Sequence, residues 1–177
     1  QVSNLKDETK YYVRAYAQNK IGIVYGEEKS FTTNATSLPT ITTSTITQIT
    51  ETSAVAGGNI INDGGAEIQE RGIVYSTTEY PTTSNNKVQS GKGTGSFTCN
   101  LTNLSDETTY YVRAYAINKK GTAYGEQVSF KTKAYNLPTV TTNDATNILY
   151  HSASIGGNVT NDGGVSVTER GVVYGTS

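Results

Sequence analysis

The chain repeats itself at a fixed spacing of 99 residues, and no other feature constrains its fold as strongly. Tyr11–Ala17 (YYVRAYA) returns as Tyr110–Ala116, Leu38-Pro39-Thr40 as Leu137-Pro138-Thr139, Gly57-Gly58-Asn59 as Gly156-Gly157-Asn158, and Glu70-Arg71-Gly72 as Glu169-Arg170-Gly171. Residues 1–78 align with 100–177 without insertion, and 44 of those 78 positions are identical. A constant period of this kind marks one structural unit copied along the chain. It divides the sequence into residues 1–35, the last strands of one repeat; 36–135, a complete repeat; and 136–177, the first strands of the next. The stretch equivalent to 79–99 is missing from the outer pair. Half-sandwiches would leave strand edges unpaired, so the chain reads as a window on a longer array.

Within the complete repeat, strand-like runs alternate with turn residues, which predicts an all-β sandwich of seven short strands. The runs are Thr40–Ser44, Ser53–Ile61, Ala66–Ser76, a weak one at Lys87–Ser90, Gly95–Leu101, Thr109–Asn118 and Ala123–Thr132. Asn62-Asp63-Gly64-Gly65 predicts a hairpin turn, because these residues tolerate positive φ. The apolar parity shifts between Ile68 and Ile73, which predicts a bulge near Gly72. Residues 109–118 are the clearest strand. Tyr110, Val112, Ala114 and Ala116 fall on one face, expected to be core, and Tyr111, Arg113 and Tyr115 on the other. No window has helical periodicity.

Charge is nearly balanced, 14 Lys+Arg against 15 Asp+Glu, which provides no basic footprint for nucleic acid or an anionic membrane. No apolar run approaches the roughly 18–20 residues of a membrane span. One Cys cannot build a disulfide framework.

At residues 104–121 the pattern Leu104-x-Asp106-x-Thr108-x-Tyr110-x-Val112-x-Ala114-x-Ala116-x-Asn118-x-x-Gly121 resembles the sixth strand of fibronectin type III domains and the turn before it. The same series stands at Leu5, Asp7, Thr9, Tyr11, Val13, Ala15, Ala17, Asn19 and Gly22. The resemblance implies a tyrosine corner at Tyr110 and Tyr11, with the ring in the core and the hydroxyl bonded to the backbone of the preceding turn. The family usually carries a Trp on its second strand. This chain has no Trp, and Gly57-Gly58 occupy that region, which implies a different core filling. Across its whole length the sequence is similar to the tandem repeats of very large secreted surface proteins of the Bacteroidota. That likeness implies export to the cell surface or medium, and adhesin-like or filament-forming roles.

Few residues offer chemistry. Gly91–Ser96 (GKGTGS) mimics a phosphate loop but lacks the following helix. Asn62-Asp63 and Asn161-Asp162 lack the ligand spacing of a calcium loop, and Asp7-Glu8 and Asp106-Glu107 read as solvated turns. Cys99 alternates with Phe97 and Leu101 and reads as a small core residue. His151 stands alone, without partners for a triad or metal site. No catalytic, cofactor-binding or metal-binding set is predicted, and the chain is not expected to be an enzyme. The candidate interaction residues are the Tyr/Arg stripes Tyr12, Arg14, Tyr16 and Tyr111, Arg113, Tyr115, since Tyr and Arg are enriched at interfaces. The competing reading is cross-strand packing that stiffens the sheet.

The repeats predict a structural stalk or spacer, and the resemblance implies that it belongs to a long extracellular adhesin or surface filament. The alternatives are a module that binds glycan or protein through the Tyr/Arg stripes, and a spacer region of a secreted glycan-degrading enzyme. The expected partners are neighbouring repeats, with other copies of the chain or surface glycans as further candidates, and neither nucleic acid nor membrane insertion is expected.

Overall fold

The computed structural model describes residues 1–176. The described residues form fourteen strands and no helix. Eight of these build one sandwich: β5 (Thr40–Thr43), β6 (Ala54–Asn62), β7 (Glu70–Ser76), β8 (Asn86–Gln89), β9 (Gly95–Leu101), β10 (Thr109–Asn118), β11 (Gly121–Tyr124) and β12 (Val128–Lys131). One sheet has the order β5-β6-β9. The other runs β11-β10-β7-β8, with β12 continuing β11 along the same edge of β10. Every pairing is antiparallel. Counting β11 and β12 as one interrupted strand gives three strands against four.

The alternation along the sequence decides the interior. Ala54, Ala56 and Ile60 from β6, Phe97, Cys99 and Leu101 from β9, and Tyr110, Val112, Ala114 and Ala116 from β10 all point into one cluster with Ile41, Ile68, Ile73, Leu104 and Phe130. Burying such side chains contributes roughly 1.5–3 kcal/mol each for the larger ones. Two devices close the core. At Gly58 the sheets come so close that a Cβ there would lie 2.5 Å from the Ala114 Cβ. Elsewhere in the core, Tyr110 stacks on Phe130 with centroids 5.8 Å apart and tilts against Tyr75 at 6.2 Å. Burial pushes the Cys99 thiol up from its ordinary range, as expected of a core cysteine.

Three local expectations are corrected. Asn62–Gly65 is a tight turn, with Asn62 and Asp63 Oδ1 accepting from the amides of Gly64 (2.7 Å) and Gly65 (2.8 Å). It does not close a hairpin: β6 and β7 belong to different sheets, so the turn carries the chain across the sandwich. No bulge lies at Gly72, which pairs in register with Tyr115 on one side and Gln89 on the other. The parity shift arises because Ile68 precedes the strand and reaches the core from the crossing segment. The irregularity lies instead in the last strand. Tyr115 pairs with Tyr124 and Val112 with Val128, so Arg113-Ala114 oppose the three residues Gly125–Gln127.

The flanking segments repeat these elements. Residues 1–35 hold β1 (Lys10–Val13), β2 (Tyr16–Gln18), β3 (Ile23–Tyr25) and β4 (Lys29–Thr32), in which Tyr16 pairs with Tyr25 and Val13 with Lys29. This is the register of β10 to β12 moved by 99 residues, interruption included. Residues 136–176 hold β13 (Thr139–Thr142) and β14 (Gly157–Asn161), paired as β5 and β6 are.

Candidate interaction surface

The outer face of the four-strand sheet carries Tyr111, Arg113 and Tyr115 on β10, with Gly72 and Val74 opposite them on β7 and Tyr124 on β11. Because β-strand side chains alternate, these residues point away from the core. The expectation that Tyr115 is exposed there is corrected, since it is 0% accessible.

Its burial has identifiable causes. Gly72, directly opposite, leaves a bare platform, and a Cβ there would come within 2.9 Å of Tyr115 Cε1 and would strike the Val88 carbonyl oxygen. The Tyr115 hydroxyl donates to Glu70 Oε1 at 2.6 Å, and the same carboxylate pairs with Lys87 Nζ at 2.9 Å. The Lys87 ammonium lies 5.9 Å from the Tyr115 ring centroid. The segment between β7 and β8 then folds back toward the other edge of the sheet. The Thr83 amide bonds to the Tyr124 hydroxyl at 3.0 Å, the Tyr80 amide donates to the Gln127 side chain, and Pro81 is fully buried. Burial, then the bond to Glu70, holds the Tyr115 phenol well above its ordinary range. The Tyr115 hydroxyl and then Lys87 hold Glu70 below its own.

Arg113 is half-buried and committed to its own sheet. Its guanidinium carbon lies 4.7 Å from the Tyr124 ring centroid, and its Nε donates to the Gly125 carbonyl at 3.0 Å. The Gly125–Gln127 interruption turns that carbonyl toward the arginine. Tyr111 is half-buried. The twin stripe differs. Tyr12 and Tyr16 are 62% and 70% exposed, while Arg14 still stacks at 5.2 Å on Tyr25 and donates to Gly26 O at 2.9 Å. The Arg clamp is therefore built into the strand pair, and in the sandwich Tyr115 is covered from β7 and Lys87. Of the predicted stripe residues, β10 brings Tyr111, Arg113 and Tyr115 together, and β1–β2 bring Tyr12, Arg14 and Tyr16 together.

The tyrosine at the start of each stripe strand has another task. Tyr110 Oη accepts from the Ser105 amide at 3.0 Å, and Tyr11 Oη from the Lys6 amide at 2.8 Å. Each hydroxyl thus ties its strand to the turn five residues upstream. Sequence reasoning missed one further polar centre, Arg71. Its guanidinium donates to the carbonyls of Ser90, Gly93, Thr94 and Gly95 and lies 5.0 Å from the Phe97 ring centroid. The Gly91–Ser96 loop thus presents carbonyl oxygens to a cation, the reverse of the amide cradle that binds phosphate. Among the described residues, no three His, Cys, Asp or Glu side chains converge to hold a metal ion.

No family model matches the chain, and no curated protein matches it. Solved structures similar to it include the sensor domain of the anti-sigma factor RsgI4 of Pseudobacteroides cellulosolvens, 19% identical with a TM-score of 0.41, covering 56% of this chain and 99% of that one. A fibronectin type III domain of human collagen XX is 21% identical with a TM-score of 0.41, covering 55% and 95%. The FN1–FN3 domains of chicken CNTN1 are 17% identical with a TM-score of 0.44, covering 73% and 45%. The strand order and the tyrosine corner are what define the architecture here: three strands against four, a fibronectin-type-III-like β-sandwich.

Proposed function

We propose that this chain is a structural stalk or spacer, a serial run of fibronectin-type-III-like repeats in a long bacterial extracellular adhesin or surface filament, without catalytic activity. One observation carries the reading. The backbone bond that anchors the segment entering the sandwich, Ser37 amide to Gly64 carbonyl at 2.8 Å, recurs 99 residues later as Asn136 amide to Gly163 carbonyl at 2.8 Å. Each bond lies within its own repeat and fixes the entering segment in the same way, and that repetition favours end-to-end propagation.

The use of the Tyr/Arg face supports the same reading. In the sandwich, Tyr115 and Arg113 are spent on Glu70, Tyr124 and Gly125, as in a stiffened sheet. A glycan- or protein-binding face would keep those rings accessible.

Electron microscopy of the native protein, on cells and in the culture medium, tests the reading. A sandwich of strands this long spans roughly 30–40 Å along its axis. A thin beaded fibre with that spacing is expected. A compact particle dominated by a large non-repeating domain would overturn the stalk and favour a spacer within an enzyme.

A further inference from the structure

The segment that joins residues 1–35 to the sandwich is pinned at both ends. On the near side, the Thr33 amide bonds to Thr9 O at 3.1 Å, and its hydroxyl donates to Lys6 O at 2.5 Å. On the far side, Ser37 is held by its amide on Gly64 O and by its own carbonyl, which accepts from Asn118 Nδ2 at 2.8 Å. Only Asn34, Ala35 and Thr36 lie between the two anchors, and Thr36 is buried. So short a tether leaves few orientations open, and a weak contact is enough to select among them.

Such a contact is present. Asp7, on the turn before β1, places Oδ1 3.5 Å from Nζ of Lys119, on the turn between β10 and β11. The Asp7 carboxyl is held below its ordinary range by Thr36, then by its own backbone amide, and after these by Lys119. Both members are periodic. Asp106 and Lys20 stand 99 residues away, although neighbouring positions change, Gln18 to Ile117 and Ile21 to Lys120. Among the described residues Lys119 makes no second ion pair, and Asp106 occupies the same place on the turn before β10. Glu107 and Glu8, the adjacent acids, do not make this contact; Glu107 pairs with Lys131 on its own strand edge.

We propose that Asp7 and Lys119 form an electrostatic joint that sets the angle between one repeat and the next, and that Asp106 makes the same joint with the equivalent lysine of the following repeat. The inference rests on the serial-repeat reading above. An exposed ion pair biases an equilibrium by no more than about fivefold. On a free linker that would be negligible, but on a three-residue tether it separates one orientation from a handful. The joint is therefore stiff at low ionic strength and loosens as salt screens the pair, with a screening length falling from about 30 Å at 0.01 M to about 3 Å at 1 M.

Pulsed electron-spin distance measurement on the whole chain tests this, with labels at Glu28→Cys and Glu79→Cys, both exposed positions. The native Cys99 is buried and does not compete for the label. A narrow distance distribution is expected at low salt, broadening as salt rises. Lys119→Asp should leave it broad at every salt concentration, and the swap Asp7→Lys with Lys119→Asp should restore the narrow distribution at low salt. A distribution already broad at low salt, or one unchanged by Lys119→Asp, would overturn the joint. The stalk reading fails on a different observable, the compact shape of the native particle, so the two failures are distinguishable.

Discussion

Tyr115 shows how one residue can be misjudged by alternation alone. The period-2 pattern places it on the outer face correctly, but which face is solvated depends on what the rest of the chain lays over it. Here the signals were a glycine directly across the sheet and a Pro81-Thr82-Thr83 segment able to fold back, and neither announces itself in a strand pattern. The buried hydroxyl and Glu70 now depend on each other. Tyr115→Phe deletes a hydrogen bond to a carboxylate and is expected to cost about 1–2 kcal/mol, measurable as a fall in the urea midpoint. The same pair couples stability to acid. Because Glu70 titrates lower in the folded chain than its unfolded value of about 4.3, its contribution is complete above that pH. It is lost as pH falls through the folded value. Glu70→Gln should therefore flatten the acid limb of stability against pH. An acid limb identical in parent and variant would show that the carboxylate does not contribute.

At the scale of the elements, most strands were legible, because each depends on local residues: β9 and β10 lie where alternation placed them. Connections were less legible. A turn-forming sequence such as Asn62–Gly65 fixes a reversal in direction but not which sheet receives the next strand. The interruption between β11 and β12 was hidden because Val128 and Phe130 keep the apolar pattern going past it. That interruption has an energetic consequence. Gly125 N–H still bonds to Ala114 O at 2.9 Å, but the Ala114 amide turns across the core and donates to Thr43 Oγ1 on β5 at 3.0 Å. One hydroxyl thus bridges the two sheets. Gly125 sits against the same threonine, with a Cβ there 2.6 Å from both Thr43 N and Oγ1. Thr43→Val keeps the shape and removes the acceptor, which orphans a buried amide, at an expected cost of about 1–3 kcal/mol. For a domain of this size that lowers the melting temperature by roughly 4–8 °C per kcal/mol. Thr43→Ser should retain most of the stability, and equal losses in both variants would point to packing rather than the hydrogen bond.

For the whole molecule, the period of 99 was legible, but how the segment entering the sandwich is held was not, because that hold depends on buried polar groups that no pattern marks. Asn118 is the clearest of these. It is 2% accessible, and both ends of its amide are satisfied. Its Nδ2 donates to Ser37 O and Asp63 O, each at 2.8 Å, and its Oδ1 accepts from the amides of Lys120 and Gly121 at 2.8 and 3.3 Å. A single side chain therefore binds the incoming segment, the crossing turn after β6 and the turn after β10. Its twin Asn19 shares the last of these tasks, accepting from Ile21 and Gly22 through Oδ1. Asn118→Asp is a sharp test, since the carboxylate keeps the acceptor and loses the donors, setting a negative charge against two carbonyls. The entering segment should then detach before the sandwich unfolds. Limited proteolysis is expected to cut the variant between residues 34 and 38 while the parent resists, and the freed sandwich should still melt cooperatively. Cleavage at the same rate in both proteins would mean that the Ser37–Gly64 bond alone holds the junction.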